Sequence, residues 1–316
     1  MIEGKIIGVF GSDPAARAGF LGPVAKKSEA EGSLVLYHRV EGGVPYSFLE
    51  DAQFPERIQG YSRIASLSDA AFYLLPKFGK MTAPDGELAV LVDALGLDGS
   101  LVSVDEPGAQ PAAFKGLRLE RYPVEERSSK SSVIDLSKVG TAPGLPKGAL
   151  VYIDRAFSVK GVGLVVLGFV VSGTVSVHDQ LRLVPGDGKT AEVRGIQVHD
   201  VDHDSVGRGV RVGLSLRGVE LKDLDKVSWM DDGSIPTSEK VTLEYRQSGY
   251  YKQSVDGRDM HLQLPGEVVT CKTKLEGGRL TASLAAQAPV WDGMRVGLID
   301  LNGKGLRVAG GGVCRI

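Results

Sequence analysis

A run of histidines and aspartates at residues 199–204 concentrates the side chains that bind metals in proteins. Imidazole nitrogens and carboxylate oxygens are common ligands of zinc and related ions, so the run is a candidate metal site. Along a strand, however, successive side chains point to opposite faces, which separates neighbouring ligands. The run also stands between two candidate strands. We therefore interpret it as a polar loop and expect no metal there.

Two glycine-rich segments, residues 303–305 and 310–312, have the composition of a nucleotide-binding loop. Such a loop binds phosphate through backbone N–H groups at the start of a helix. Neither segment is followed by a helical pattern of apolar residues. We expect both segments to form turns or bulges.

The chain of 316 residues is long enough for two or three domains with separate cores. Hydrophobic residues make up 42% and charged residues 24%, as in ordinary globular proteins. The combination of 42 glycines with only 6% aromatic residues favours short strands joined by many turns. A net charge of −2 gives no overall basic field, so any nucleic acid must bind a local patch.

The two cysteines, Cys271 and Cys314, have no CxxC spacing, which predicts reduced, buried thiols and a cytoplasmic location. Residues 1–10 have the pattern of a strand rather than of a signal peptide. No apolar run approaches the roughly 20 residues that cross a bilayer. We expect neither a membrane nor DNA as a partner.

Strand and helix patterns alternate over residues 1–127. Helical spacing predicts one helix over residues 14–31, a second from Phe54 onward and a third around residues 88–95. Glu41-Gly-Gly-Val-Pro separates two strand runs and predicts a hairpin. The resulting β-α-β-β-α-β-α-β order is that of a doubly wound α/β sheet.

The pattern changes at residues 128–147, which are rich in Ser, Gly, Pro and Lys and predict a linker. After the linker the helical patterns stop. Short strand candidates divided by turn residues predict one β-barrel over residues 148–231 and a second over residues 237–316. The break at residues 231–236 separates the two.

The stretch from Asp154 to Leu181 is the most informative part of the chain. It contains Asp-Arg-Ala-Phe-Ser, the turn Gly161-Val-Gly163, a Val-Val-Leu-Gly strand and a hairpin that begins Ser172-Gly-Thr. This order resembles the second domain of translational GTPases of the elongation factor Tu type, and the match continues through residues 193–219. The physical sense of the pattern is that of a barrel scaffold: the glycines stand where strands turn or bulge, and the valines fill the interior and its flank. These residues are Gly161, Gly163, Gly168, Gly173, Val165, Val166, Val170 and Val171.

The closing segments, residues 293–300 and 305–313, resemble the last two strands of the third domain of the same family. Arg211 and the strand at residues 193–199 are more similar to the selenocysteine-specific (SelB) and archaeal branches. The resemblance implies an α/β P-loop-GTPase-like N-terminal domain followed by two all-β barrels, domain II and domain III.

A GTPase of this family carries the loop G-x-x-x-x-G-K-[ST] after its first strand. Gly11 is retained here, but Ala16 replaces the glycine that lets the backbone approach phosphate. Arg17 replaces the lysine, and Ala18 lacks the hydroxyl that holds Mg²⁺. Each lost charge-assisted bond would cost about 1.5–3 kcal/mol of phosphate binding. Asp13 adds repulsion.

The other GTPase signatures are also missing. In D-x-P-G-H, Asp51 remains, but Gln53, Phe54 and Pro55 stand in the Pro, Gly and His places. Where N-K-x-D would read guanine, the chain has Asp105-Glu-Pro-Gly, and residues 31–51 are short and contain no Thr for Mg²⁺. We expect a degenerate GTPase domain that is not an enzyme and binds neither GTP nor Mg²⁺. An unrelated small α/β fold is the alternative.

The resemblance also implies a site on the first barrel. Asp154, Phe157 and Arg211 align with the pocket that receives the aminoacyl end of tRNA in the family. Leu164 and Leu167 stand where factor Tu has threonines, which makes this surface more apolar. The alternative is a barrel surface without an aminoacyl ligand.

Together these features predict an elongation-factor-like translation protein without a working GTPase cycle, which binds tRNA, the ribosome or another translation factor. Two alternatives remain open. The first is a protein-interaction or regulatory module built on the same barrels, which the balanced charge favours. The second is a noncanonical GTP-binding factor or hydrolase that uses Arg17 in place of the lysine.

Overall fold

The computed structural model describes residues 1–28, 33–105 and 110–316. The first domain is a seven-stranded sheet with strand order β2-β3-β4-β1-β5-β6-β7. Strands β1, β4, β5, β6 and β7 run parallel, while β3 pairs antiparallel with β4 and β2. The strands are β1 (Lys5–Phe10), β2 (Lys26–Lys27), β3 (Leu34–Glu41), β4 (Val44–Asp51), β5 (Ala70–Leu74), β6 (Gly99–Val104) and β7 (Val124–Arg127).

Three helices cover the two faces of this sheet, and they are α1 (Pro14–Val24), α2 (Gln59–Leu67) and α3 (Ala83–Ala94). Single 3₁₀ turns occur at Lys77–Gly79, Ala112–Phe114 and Arg118–Arg121. One apolar cluster joins α2 and α3 to one face, and a second cluster joins α1 to the other. The antiparallel β3–β4 hairpin confirms the turn predicted from the Gly-Gly pair, whose two glycines have φ of 59° and 81°.

The predicted end of α1 and the predicted start of α2 were wrong. Helix α1 ends at Val24, well before residue 31, and Lys26–Lys27 form β2 instead. Pro23 is in the last turn, and the chain becomes extended at Ala25 and then pairs with β3. Helix α2 begins at Gln59, five residues after Phe54. Phe54 is nevertheless buried, because its ring packs edge-on against Tyr61 at 5.2 Å.

Between β7 and the next strand, residues 128–147 contain no helix or strand. The segment is nonetheless packed, since Ile134, Leu136 and Val139 are buried in the cluster that contains α1. Lys5, the first residue of β1, donates from Nζ to Gly140 O at 2.9 Å, and this bond fixes the segment to the start of that strand. The segment is therefore part of the first domain's packing as well as a connection.

The second domain is a β-barrel built around an apolar cluster of its own. Its sheet has the order β11-β16-β8-β9-β15-β12-β13, and β11 also pairs with β12, which closes the barrel. The predicted short strands over residues 148–231 are present. The strands are β8 (Leu150–Val159), β9 (Gly163–Ser172), β10 (Thr174–Ser176), β11 (Gln180–Val184), β12 (Thr190–Val198), β13 (Val201–His203), β14 (Ser205–Gly207), β15 (Arg211–Arg217) and β16 (Trp229–Asp231).

The third domain is a closed six-stranded barrel of order β17-β20-β19-β18-β21-β22. Its strands are β17 (Thr237–Gln247), β18 (Asp259–Leu264), β19 (Glu267–Glu276), β20 (Arg279–Pro289), β21 (Arg295–Ile299) and β22 (Val308–Cys314). The last two confirm the predicted closing strands. Residues 303–305 form the predicted turn, but residues 310–312 lie inside β22. There a Cβ on Gly311 would lie 2.1 Å from Ala94 O, so this glycine lets α3 approach the barrel.

Both cysteines are free and buried, as predicted. Burial raises the pKa of the Cys271 thiol to about 12 and that of Cys314 to about 11. Within the described part of the chain, none of the helices has the length and apolar character to span a bilayer.

Candidate functional site

The loop between β1 and α1 is where a GTPase of this family would bind phosphate, and its N–H groups are bound by the protein's own carboxylates. Asp13 is the N-cap of α1, and its Oδ1 accepts from Ala15 N at 2.8 Å and Ala16 N at 3.3 Å. Ser12 N donates to Oδ1 of Asp85 at 3.0 Å. Two carboxylates thus bind the donors that a phosphate would use.

Asp85 reaches this loop from the first turn of α3. Its Oδ2 accepts from Thr82 N at 2.9 Å and from Thr82 Oγ1 at 2.6 Å, which makes a capping box at the start of the helix. The residue is 1% exposed. Because the carboxylate serves the helix and the loop at once, it fixes the loop against α3.

Arg17, in the place of the phosphate-loop lysine, points into the protein and is fully buried. Its Nε donates to Glu50 Oε2 at 2.7 Å, Nη1 to Gly11 O at 2.6 Å and Nη2 to Asp51 O at 2.9 Å. The guanidinium also lies 5.7 Å from the centre of the Tyr61 ring. Arg17 is therefore committed to joining the loop to the end of β4. Ala16 is half-buried beside it and Ala18 is exposed.

Asp51 ends β4 and is completely buried. Its Oδ1 accepts from Gln53 N at 2.9 Å, and burial raises the pKa of its carboxyl. A Cβ on Gly60 would lie 1.9 Å from Asp51 Oδ2, so the carboxylate rests directly on the start of α2. In the described structure Asp51 Oδ2 is buried without a hydrogen-bond partner.

Asp105 follows β6 and lies at the surface with φ of 60°. Its Oδ1 accepts from Ser129 N at 2.8 Å, and the hydrogen bonds from Ser129 hold the pKa of this carboxyl below its usual range. The carboxylate therefore caps the first residues of the connecting segment. The rest of the predicted base-reading position, Glu106-Pro107-Gly108, lies outside the described residues.

A cleft of about 770 Å³ separates the first domain from the first barrel. Lys26, Lys27 and His38 line it from β2 and β3 of the first domain. Arg211 and His199 line it from the barrel, with Leu36, Leu167 and Val212 as its apolar part. The cleft thus places cationic side chains beside two imidazole rings and the half-buried Leu167, with Asp200 as an acidic neighbour and with Leu36 and Val212 almost fully buried behind its surface.

Of the five barrel residues predicted for this surface, the structure brings two into direct contact. Arg211 Nη2 binds Asp154 Oδ2 at 3.0 Å, while Arg211 Nε is buried without a hydrogen-bond partner in the described structure. Leu167 reaches the cleft, whereas Leu164 is buried in the barrel core. Phe157 lies on the neighbouring part of β8, where the guanidinium of Arg155 sits 5.0 Å from its ring centre.

Two histidines close the cleft from opposite domains. The rings of His38 and His199 stack with centroids 4.3 Å apart. Burial, followed by the charges of neighbouring groups, lowers the pKa of both imidazoles. His199 begins the turn between β12 and β13, where it has φ of 49° and Asp200 has φ of 63°. The predicted polar loop is thus wrong for half of the histidine-aspartate run, because only His199 and Asp200 form the turn and Val201–His203 form β13 against β12. Gln197 Nε2 binds Asp202 Oδ1 across this strand pair at 2.9 Å.

The first domain is also held against the second barrel. Arg307 donates to Glu87 at the start of α3 and, from Nη2, to Pro55 O at 3.0 Å. Arg63 on α2 binds Glu267 at 2.9 Å, and Arg246 binds Asp93 at 2.7 Å. One continuous apolar cluster spans α2, α3 and the second barrel. Helices α2 and α3 are thereby fixed to the second barrel.

Sequence reasoning missed the partners that occupy the loop, Glu50 and Asp85. Glu50 had a signal, because a lone glutamate in a strand whose burial is almost continuous requires a buried partner. Thr82-x-x-Asp85 had the signature of a helix start. Neither pattern indicates which distant residue the carboxylate contacts. The lysine pair at Lys26–Lys27 was hidden inside the overlong helix prediction.

An α/β domain in the strand order of a P-loop GTPase, followed by two β-barrels, defines the architecture of a translation factor, and the predicted fold class is confirmed. Residues 163–227 match the family described as elongation factor Tu domain 2. The first barrel is thus related to the second domain of elongation factors of the EF-Tu and SelB type, as its motifs predicted.

Three similar proteins illustrate the relationship. An uncharacterized protein of Methanocaldococcus jannaschii is 26% identical over 98% of this chain and 99% of its own length. The selenocysteine-specific elongation factor of the same organism is 40% identical over 29% of this chain, which is 18% of that factor. A crystal structure of a bacterial selenocysteine-specific elongation factor, EF-Sec, has a TM-score of 0.83 at 14% identity and covers 99% of this chain and 58% of its own. The chain therefore spans only part of the elongation factors that it matches.

Proposed function

We propose that this protein is an elongation-factor-like binding protein of the translation machinery that works without a GTPase cycle. It holds the acceptor end of an RNA, with tRNA as the first candidate, in the cleft between its first domain and its first barrel. The observation that carries the proposal is the occupation of the phosphate loop by Asp13, Asp85 and the buried Arg17.

Nucleotide binding at this loop would need several rearrangements at once. A phosphate would have to displace the Asp85 carboxylate from Ser12 N and the Asp13 carboxylate from the start of α1. Arg17 would have to leave Glu50 and two carbonyl groups, all in a buried environment. Breaking a buried ion pair of this kind costs about 3–5 kcal/mol, before any phosphate contact is gained.

The contacts between domains support an arrangement that does not cycle. Pro55 stands where the family carries the last residue of its D-x-P-G-H signature, and its carbonyl accepts a hydrogen bond from Arg307 of the second barrel. Glu87 on α3 binds the same arginine. The first barrel is bound to the first domain separately, since Gly4 N donates to Arg208 O at 2.9 Å and the Arg208 guanidinium pairs with Asp69. None of these contacts involves a nucleotide, which supports a cleft that keeps its form without one.

The chemistry of the cleft supports the ligand class. A 3′ end of RNA carries phosphate charges and stacking bases, and the cleft offers Lys26, Lys27 and Arg211 next to apolar side chains and the stacked histidines. Cationic side chains contribute the sequence-independent part of RNA affinity, and planar groups contribute stacking. The overall charge of −2 does not oppose this, because the basic groups are local.

Equilibrium binding of fluorescent GTP and GDP with Mg²⁺ tests the first half of the proposal. We expect no saturable binding up to millimolar nucleotide. Micromolar affinity for either nucleotide, or phosphate release from the purified protein, would overturn the absence of a cycle and favour a noncanonical GTP-binding factor.

Binding of aminoacylated and deacylated bulk tRNA across a salt series tests the second half. We expect the affinity for tRNA to fall as the salt concentration rises. We also expect Arg211→Gln to weaken tRNA binding and Arg217→Gln to leave it unchanged. Arg217 is the matched control, because it lies on the same strand β15 but is exposed and away from the cleft. Absence of tRNA binding at low salt would refute the RNA proposal, and co-purification with proteins after nuclease treatment would then favour an interaction module.

A further inference from the structure

A second cavity lies on the other side of the first domain, far from the cleft in the fold. It has a volume of about 290 Å³ and is formed by α3, the turn at Ala112–Phe114 and two loops of the second barrel. Its accessible lining includes Met81, Gly86, Tyr250 and Leu306, and it rests on a floor of the buried residues Val90, Phe114 and Leu117. Helix α3, the turn at Ala112–Phe114 and the loops of the second barrel thus each form one side of an open apolar pocket.

The polar groups of this pocket are already bound. Glu87 accepts from the backbone N, Nε and Nη2 of Arg307, so its charge is neutralised. The hydroxyl of Tyr250 donates to Ala113 O at 3.2 Å. Apolar contact is therefore what the pocket offers to an occupant.

The rim of the pocket is basic. Lys80 precedes the lining residue Met81, Lys115 follows Phe114, Lys252 stands two positions after Tyr250, and Lys304 stands two positions before Leu306. All four lysines are exposed. Within residues 1–28, 33–105 and 110–316, the ion pairs formed by lysines involve others, namely Lys138, Lys189, Lys222 and Lys274. Of the four, Lys252 donates from Nζ to Gly249 O in its own loop.

We propose that this pocket is a docking site for an acidic protein segment that inserts one large apolar side chain, such as Phe or Leu. The volume accommodates one such side chain, and the four lysines complement carboxylates on either side of it. A nucleobase fits less well, because its donors and acceptors would be buried against groups that are already hydrogen-bonded. The site goes beyond the proposed RNA cleft and shares no residue with it.

Gly86 allows the pocket to be filled without disturbing the fold. A Cβ at this position meets no atom within 4 Å. Replacing a glycine in a helix interior by leucine also favours the helix, by roughly 0.5–1 kcal/mol. Gly19→Leu is the matched control, because Gly19 lies in α1, is exposed and likewise has open space around its Cβ position.

The test is a display selection of random-sequence peptides on the full-length protein, followed by fluorescence anisotropy with the peptide that is enriched most. We expect enriched peptides to carry a Phe, Leu or Trp flanked by Asp and Glu. Gly86→Leu lowers the affinity for that peptide by about tenfold or more, and so does the double variant Lys115→Glu with Lys304→Glu. Gly19→Leu and Lys240→Glu leave its affinity unchanged.

The proposal is overturned if the enriched peptides lack acidic residues or an apolar anchor, or if Gly86→Leu binds them as well as the wild type. It is also overturned if a single-stranded RNA binds the wild type and loses its affinity in Gly86→Leu, since the pocket would then take a base. A salt series measures the contribution of the four lysines to peptide binding, because binding through exposed lysines weakens as ionic strength rises.

Discussion

The Nε atom of Arg17 and the Oε2 atom of Glu50 lie 2.7 Å apart, with 1% and 8% of the two side chains exposed. This pair joins the start of α1 to the end of β4. It directs the guanidinium of Arg17 toward β4 and away from the N–H groups at the start of α1. We expect this pair to contribute mainly to the stability of the domain.

Arg17→Ala is expected to lower the free energy of unfolding by about 3–5 kcal/mol, because Glu50 and the carbonyls of Gly11 and Asp51 lose a buried cationic partner. Urea denaturation followed by circular dichroism measures the change. Adding Glu50→Gln to Arg17→Ala should cost much less than the sum of the two single changes, since no buried charge is then left unpaired. Additive effects would contradict the pairing.

Asp85→Asn is expected to destabilise the protein by about 1–3 kcal/mol, because the capping box at Thr82 and the bond from Ser12 N lose a charged acceptor. The same denaturation experiment measures it. Asp135→Asn is the control, as this aspartate is largely exposed and bonds only within its own turn. Equal unfolding midpoints for the two variants would argue against the role of Asp85.

The pattern of barrels and missing signatures was readable in the sequence because it depends on local features. Glycines at strand turns and pairs of valines between them predict short strands, and the replaced residues of the phosphate loop are visible one by one. The contact of Ser12 N with Asp85 was not predictable, since it joins residues 73 positions apart through the arrangement of α3. The packing of Ile134 was likewise hidden in a segment whose composition is that of a linker.

Arg307→Ala is expected to weaken the association of the first domain with the second barrel. Glu87 is left buried without its cation, which we expect to cost about 3 kcal/mol or more of unfolding free energy. Arg315→Ala is the matched control, because its partner Glu244 and its own guanidinium are largely exposed and no change of the unfolding midpoint is expected. Limited proteolysis in residues 128–147 provides a second measurement, and it should accelerate only in Arg307→Ala.

The stacked pair of His38 and His199 predicts a pH dependence of stability. Burial lowers the pKa of both imidazoles from their ordinary value of 6.5, and Lys26 and Arg211 act in the same direction while Asp200 opposes it at His199. The unfolded chain therefore binds more protons than the folded one as the pH falls below about 6.5. The stability that depends on neutral histidines is fully present above pH 6.5 and is lost as the pH falls through the lowered pKa values. His261 in β18, whose pKa is also lowered by burial, adds to the same trend.

His38→Phe separates the contribution of the cleft from that of His261. The phenyl ring can keep the stacking on His199 but carries no proton, so we expect a smaller loss of melting temperature between pH 7 and pH 5 than in the wild type. His178→Gln is the control, since this exposed imidazole lies outside the cleft and should leave the pH profile unchanged. An identical profile for His38→Phe and the wild type would show that protonation of His38 does not govern the contact between the two domains. In that case, the acid sensitivity would have to come from His199 or from the buried imidazole of the second barrel.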